Sequence, residues 1–382
     1  MNVAPCVAWL RSVCHDYVVG RAANAAVPDA TRALRLARQQ QLTPLLWSVL
    51  RETLPADDPF ALALRHDTYR SVARHAQLAA LIRDVLPALA SRGVPVIALK
   101  GLALGERYYR RAADRPMRDV DLLVHRRDVA TVLSLARDAG LERYADAHSL
   151  AFDLRFGGAI VLTRAPEDLR RPSLDLHWDL FDGWQPRPAA ARWLERAWAR
   201  AEPVRAAGYP VLALSREDML LHLAAHLANH HAFTGLLWSC DLALMLTHDG
   251  DVLDWHRVLA DAGELGLGGT LSLAFDVVAS ALGVAPPPEV RRSLPRRAPR
   301  LRLARRLVLP RVGRLEATSR LEHVVPLLLM DRARYCARAI VDAFVPPPRW
   351  VESRYERRWP GAYARHYANA FGIIARTLGG RS

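Results

Sequence analysis

Apolar positions along the chain change period, and the changes divide it into three parts. Residues 1–92 repeat them at helical spacing. "DATRALRLARQQQLTPLLWSVL" (29–50) and "TYRSVARHAQLAALIRDVLPALASRG" (68–93) each read as a continuous amphipathic helix. Asp29 or Thr31 is placed to cap the first, and Gly93 closes the second. Pro87 is expected to kink that second helix or end it early. From Val94 the period shortens. "VPVIALK" (94–100) is rich in β-branched residues and bounded by Gly93 and Gly101, so it reads as a buried strand. "LALGERYYRRA" (102–112) returns to helical spacing, "RDVDLLV" (118–124) is a strand, and "RRDVATVLSLARDAG" (126–140) is a helix. "SLAFDLRF" (149–156), "AIVLT" (159–163) and "SLDLHWDL" (173–180) read as three further strands. From Ser215 the helical period resumes in "SREDMLLHLAAHLANHHAFTGLLWSCDLALML" (215–246), where Ser215 precedes Asp218 by a capping-box spacing. "DWHRVLADAGELG" and "GGTLSLAFDVVASALG" follow. The Pro- and Arg-rich segment 284–307 reads as a linker, and a last helical region covers 314–378, interrupted at "VPPPRWVES". The expected class is α+β: a small mixed-sheet core at 93–213, between an N-terminal helical region (1–92) and a C-terminal helical domain (214–382).

Composition narrows this little. The 382 residues are 51% hydrophobic and 24% charged, which suits a folded chain and not a disordered one. A net charge of +14 favours an anionic partner. The arginines are scattered, however, and no basic stretch is interleaved with exposed aromatics, so RNA is not the favoured partner. Cys6, Cys14, Cys240 and Cys336 form no CxxC and read as reduced thiols of a cytoplasmic protein. The first twenty residues have no basic stretch leading into a clean apolar core, so no signal peptide is expected. The most apolar run, 324–345, is broken by Asp331, Arg332, Arg334, Arg338 and Asp342, which argues against a membrane span.

The chemistry concentrates in the middle part. Asp119 and Asp121 flank Val120 on a strand, so both carboxylates share one face while Val120, Leu122 and Val124 turn to the core. Two acidic groups held that close call for a cation, and oxygen ligands of this kind suit Mg²⁺, with Mn²⁺ as the substitute. Asp175 and His177 repeat the spacing on a later strand; Asp175 can complete the site and take a proton from an attacking hydroxyl. Asp153 and Asp179 stand as alternatives for that third place. His177 reads as an orienting neighbour of a carboxylate. Lys100, the one lysine among 53 Lys and Arg residues, precedes Gly101 at a strand-to-helix junction. A compact ammonium, a glycine that lets backbone approach, and a helix N-terminus suit a triphosphate. Arg115 can fork onto phosphate oxygens. His222, His226 and His230 recur every four residues on one helix. Zinc is disfavoured there, because the Glu of an HExxH site is missing, and the face is read instead as packing on the catalytic unit. Asp241 reads as an internal hydrogen-bond acceptor; Trp178, Trp184, Trp238 and Trp255 read as core.

Taken together, Leu99-Lys100-Gly101, Tyr108, Arg115, Asp119-Val120-Asp121-Leu122-Leu123-Val124 and Leu176-His177-Trp178 resemble a bacterial family labelled "uncharacterised nucleotidyltransferase", within the DNA polymerase β-like nucleotidyltransferase superfamily. The resemblance covers residues 35–275. It implies a polymerase β-like core and Mg²⁺-dependent transfer of a nucleoside monophosphate from an NTP to an acceptor hydroxyl on a small molecule, peptide or RNA, with release of pyrophosphate. Asp119, Asp121 and Asp175 would be the metal-binding and catalytic residues, Lys100, Gly101 and Arg115 the nucleotide-binding ones, with His177 and His226 in support. The superfamily's usual Gly-Ser or Gly-Gly is Lys-Gly here, and the interval from Gly101 to Asp119 is longer than is common. Two alternatives stand beside this reading: a catalytically inactive nucleotide- or partner-binding protein of the same fold, and a toxin-like tRNA nucleotidyltransferase.

Overall fold

The computed structural model describes residues 3–23, 26–144, 149–168, 170–181, 187–314, 321–358 and 360–378. The N-terminal helices are α1 (Ala4–Val18), α2 (Ala30–Gln39), α3 (Thr43–Leu50) and α4 (Pro59–Ser91). Asp29 caps α2 by accepting from the Arg32 amide at 2.9 Å. The stretch 29–50, expected as one helix, is two, because Gln41 turns the chain at φ +58°. Helix α4 continues through Pro87 to Ser91. The proline cannot donate to the Arg83 carbonyl, and the helix runs on for only one more turn beyond it.

The middle part contains β1 (Ile97–Ala98), α5 (Lys100–Tyr108), β2 (Asp119–Leu123), α6 (Val129–Asp138), β3 (Glu142–Arg143), α7 (Leu150–Phe156), β4 (Ala159–Thr163), β5 (Ser173–His177), α8 (Arg187–Ala199), β6 (Glu202–Ala206) and β7 (Tyr209–Ala213). Among the described residues these strands form one sheet of order β3-β4-β5-β2-β1-β7-β6. It is mixed: β2 runs parallel to β5 and β1 to β7, and the other pairs are antiparallel. The α+β class therefore stands. Segment 149–156 corrects the sequence reading: it is helix α7 and not a strand. Ser149 caps it by accepting from the Phe152 amide, and the rings of Phe152 and Phe156, one turn apart, pack at 5.4 Å. The alternation of Leu150, Phe152, Leu154 and Phe156 had imitated a strand. Hairpin β6–β7 escaped the sequence reading. Its two-residue turn, Ala207-Gly208, has both φ values positive, as a tight hairpin requires, but lacks the Asn-Gly signal that announces one.

The C-terminal helices are α9 (Arg216–His231), α10 (Leu236–Asp249), α11 (Trp255–Leu265), α12 (Gly268–Leu282), α13 (Pro288–Ser293), α14 (Pro299–Val308), α15 (Leu321–Leu329), α16 (Ala333–Phe344), α17 (Pro348–Tyr355) and α18 (Gly361–Leu378). Ser215 caps α9 as its spacing to Asp218 implied. The long helix expected over 215–246 breaks at Ala232 and Phe233, both left-handed. The supposed linker 284–307 is built into the structure. It contains α13 and most of α14, and Arg291, Arg296 and Arg305 converge on the buried Asp276 of α12 at 3.4, 2.9 and 2.5 Å. A buried carboxylate needs such partners, and they fix the segment.

Two apolar clusters flank the sheet. On its back, Val120, Leu122, Val124, Leu174 and Leu176 pack with Leu78, Ile82 and Leu89 of α4 and with Val132 of α6. On its front, Ile97, Leu99 and Leu123 join the larger cluster built from α1, α9, α10 and α12. Cys6, Cys14 and Cys240 lie buried as free thiols. No helix among the described residues is long and apolar enough to cross a membrane.

Candidate active site

The site grows from the register of two strands. Parallel pairing sets Asp119 opposite Ser173, Asp121 opposite Asp175, and Leu123 opposite His177. Because side chains alternate along a strand, Asp119, Asp121, Asp175 and His177 all rise from the front face, and the apolar residues between them enter the back cluster. Ligand atoms of Asp121, Asp175 and His177 lie within 4.8 Å of one another. His177 Nε2 is 3.0 Å from Asp121 Oδ1. Asp119 is half-buried on the same face, one step along β2, and stands outside that closest group.

The three carboxylates titrate very differently. Burial, then the charges of Asp119 and Asp121, push the Asp175 carboxyl up to about 8. Burial and the Asp121 charge also raise Asp119. Burial acts to raise Asp121 too, but the Lys100 ammonium and the His177 hydrogen bond overcome it and hold Asp121 well below the usual carboxylate range. Of the alternatives for the third place, Asp153 is engaged elsewhere, and Asp179 lines the same cleft outside the closest group. Asp153 pairs with Arg143 at 2.7 Å, and Asp179 accepts from the Leu180 and Phe181 amides.

Lys100 opens α5 just beyond β1, and its Nζ lies 2.5 Å from Asp121 Oδ1. Its backbone has φ +40°, a left-handed conformation that costs a non-glycine residue about 1–2 kcal/mol. Such strain persists where the surroundings hold it, and here the ion pair does so. Gly101 is needed for a reason the sequence did not disclose. A Cβ there would sit 2.5 Å from Arg115 Nη1 and 2.7 Å from Met117 Cγ and Sδ.

Arg115 departs from the expected phosphate fork. Its Nε and Nη2 close instead on the two carboxylate oxygens of Asp241 in α10, at 2.8 and 2.7 Å, and the Tyr109 hydroxyl donates to the same carboxylate at 2.7 Å. Arginine and aspartate are both buried, so the pair is shielded from water. Burial works against the guanidinium's charge, and Asp241 more than restores it. Only Nη1 is left beside Gly101. Asp241 is thus an internal acceptor, as expected, and its partner is a site residue 126 positions away.

Helices α9 and α10 form the opposite wall of a cleft of about 710 Å³, which Lys100, Asp121 and Asp175 line from the sheet side. His226 does not support the carboxylates: its Nε2 meets His231 Nε2 at 3.2 Å. The His231 ring stacks on Trp238 at 3.4 Å, and Trp238 packs so tightly over Gly235 that a Cβ there would come within 2.0 Å. His222 lines the cleft at 4% exposure, and neither of its ring nitrogens has a hydrogen-bond partner among the described residues. Burial, then the charges of Lys100 and His177, push its pKa down to about 3, so the ring is neutral. Trp178 is core and Trp255 donates to the Gly250 carbonyl; Trp184 lies outside the described residues.

A family model described as "Uncharacterised nucleotidyltransferase" matches residues 27–283. Among solved structures, the solution structure of the antibiotic-resistance factor ANT(2'')-Ia is similar at 16% identity and a TM-score of 0.34, over 48% of this chain and 89% of that one. No curated protein matches.

Proposed function

The chain belongs to the uncharacterised nucleotidyltransferase family, and we propose that it moves a nucleoside monophosphate from an NTP to an acceptor hydroxyl, releasing pyrophosphate. The observation that carries this reading is the meeting of Asp121 and Asp175 across two parallel strands, with the Lys100 ammonium 2.5 Å from Asp121.

The donor set fits a hard divalent cation. Carboxylate oxygens from Asp119, Asp121 and Asp175 share one face, and burial together with their neighbours' negative charge raises the pKa values of Asp119 and Asp175. Mg²⁺, or Mn²⁺ in its place, would be held by these carboxylates, with His177 fixing the orientation of Asp121. When bound, such an ion supplies charge neutralisation and polarises the phosphate under attack.

The chain's own residues do the rest. Lys100 presents a point charge to the triphosphate, and the first amides of α5 add the partial positive charge of a helix N-terminus. Arg115, held by Asp241, packs against Gly101 and keeps that turn in place. Asp175, set opposite Asp121 across the two parallel strands, takes the proton of the acceptor hydroxyl. The acceptor oxygen bonds to the α-phosphorus, the α-phosphorus bond to the bridging oxygen breaks, and pyrophosphate leaves with the electron pair. Positioning and electrostatics supply the catalysis.

The test uses the full chain, α-labelled NTPs, Mg²⁺ and small-molecule, peptide and RNA fractions of cell extract. Label in a new product, with matching pyrophosphate release and loss of both in Asp121→Asn, supports the reading. Tight Mg²⁺–NTP binding with no label transferred in any fraction would make the protein a nucleotide-binding module instead.

A further inference from the structure

We propose that His222 is a phosphate-binding residue, donating an imidazole N–H to the triphosphate of the NTP; this rests on the nucleotidyltransfer reading above. A buried polar group without a partner costs about 1–3 kcal/mol, and native structures carry few of them. Among the described residues, neither ring nitrogen of His222 has a partner, at 4% exposure on the wall of the cleft. On the same helix, His226 and His231 satisfy each other. An orphaned imidazole facing an open cleft is complementary to a ligand atom.

Its place in the cleft indicates which atom. After burial, the charge that acts on His222 most strongly is the Lys100 ammonium, followed by His177, with the Asp121 carboxylate opposing them. His222 lines the same cleft as Lys100 and Gly101, the first two residues of α5. Ammonium, helix N-terminal amides and imidazole N–H are all donors, and together they suit an oxyanion. Asp119, Asp121 and Asp175 line the same cleft from the sheet, and the divalent cation they would hold would offset their charge toward phosphate oxygens. Since the ring nitrogens are on an otherwise sealed residue, a ligand that leaves them empty would forgo a hydrogen bond the protein has already desolvated.

The test measures binding and does not need the acceptor. Isothermal titration of the full-length protein with Mg²⁺ and either tripolyphosphate or the α,β-methylene analogue of ATP is compared for wild type, His222→Phe and His222→Gln. The expected result is a rise of about tenfold in Kd for both probes in His222→Phe, the loss of one hydrogen bond to a charged oxygen. His222→Gln, which keeps an N–H, should stay within about threefold of wild type. Equal binding by wild type and His222→Phe would overturn the proposal. So would a loss confined to the nucleotide, which would move the contact to base or ribose. Should His222→Phe fail to fold, imidazole ¹⁵N shifts of wild-type His222 decide the matter: a shift on adding tripolyphosphate supports the contact, and no shift refutes it. If wild type binds neither probe, the nucleotidyltransfer reading itself fails, a result distinct from a variant that binds as wild type does.

Discussion

Neighbouring residues on β2 and β5 serve opposite ends. Val120, Leu122, Leu174 and Leu176 turn to the back of the sheet at 0–1% exposure and pack in one apolar cluster with side chains of α4, α6 and the sheet. Asp119, Asp121, Asp175 and His177 alternate with them and turn to the cleft. The back face gains stability from dry packing. The front face buries carboxyls beside one another, and two of them are pushed upward, first by burial and then by the neighbouring negative charge. A period of two lets each strand carry both faces, and a slip of one residue would exchange them.

The largest effect expected on the front face is catalytic. Asp121→Asn should lower label transfer by at least about a thousandfold, the size seen when a group aimed at transition-state charge is removed. Steady-state rates with any responsive acceptor fraction measure it. Next comes the back. Leu176→Ala should cost about 2–5 kcal/mol in urea unfolding, while the rate per folded molecule stays at the wild-type value. A fall in that rate would mean the two faces are not independent. The wall opposite the carboxylates gives a smaller, pH-dependent effect. His222 and His231 both have pKa values pushed down to about 3, chiefly by burial, against 6.5 when unfolded. Below pH 6.5 the unfolded chain binds the extra protons. Stability is therefore complete above pH 6.5 and falls as pH drops toward 3, by about 1.4 kcal/mol per pH unit for each ring. Urea midpoints at pH 7 and pH 5 test this, and His231→Gln should flatten the slope. The smallest effect has the opposite sign. Asp175 is raised from 3.8 to about 8 on folding, so its ionisation opposes folding as pH rises through that window. Asp175→Asn should raise the melting temperature at pH 8 without divalent ions by several degrees, while abolishing turnover.

How much of this was legible in the sequence depends on distance along the chain. Alternation is local, so the front and back of β2 and β5 could be assigned residue by residue, and the order of Ser215 and Asp218 announced the start of α9. Local rules also misled. Segment 149–156 alternates like a strand, yet its Ser149 cap and the Phe152–Phe156 contact make it a helix. Hairpin β6–β7 turns on Ala207, which no turn rule flags. The Pro- and Arg-rich stretch 284–307 looked loose because its anchor, Asp276, belongs to the preceding helix. Arg115 was read by its chemistry alone as a phosphate ligand. No spacing rule reaches the 126 residues to Asp241, so its actual partner stayed hidden. His222 was seen, but only the assembled cleft reveals that its nitrogens are unmatched.

The Arg115–Asp241 pair has a practical corollary for anyone dissecting the protein. A fragment cut after β7 would retain the described strands yet lose Asp241, the carboxylate paired with Arg115 against the glycine that follows Lys100. Transplanting the sheet into another scaffold therefore requires that α10 travel with it.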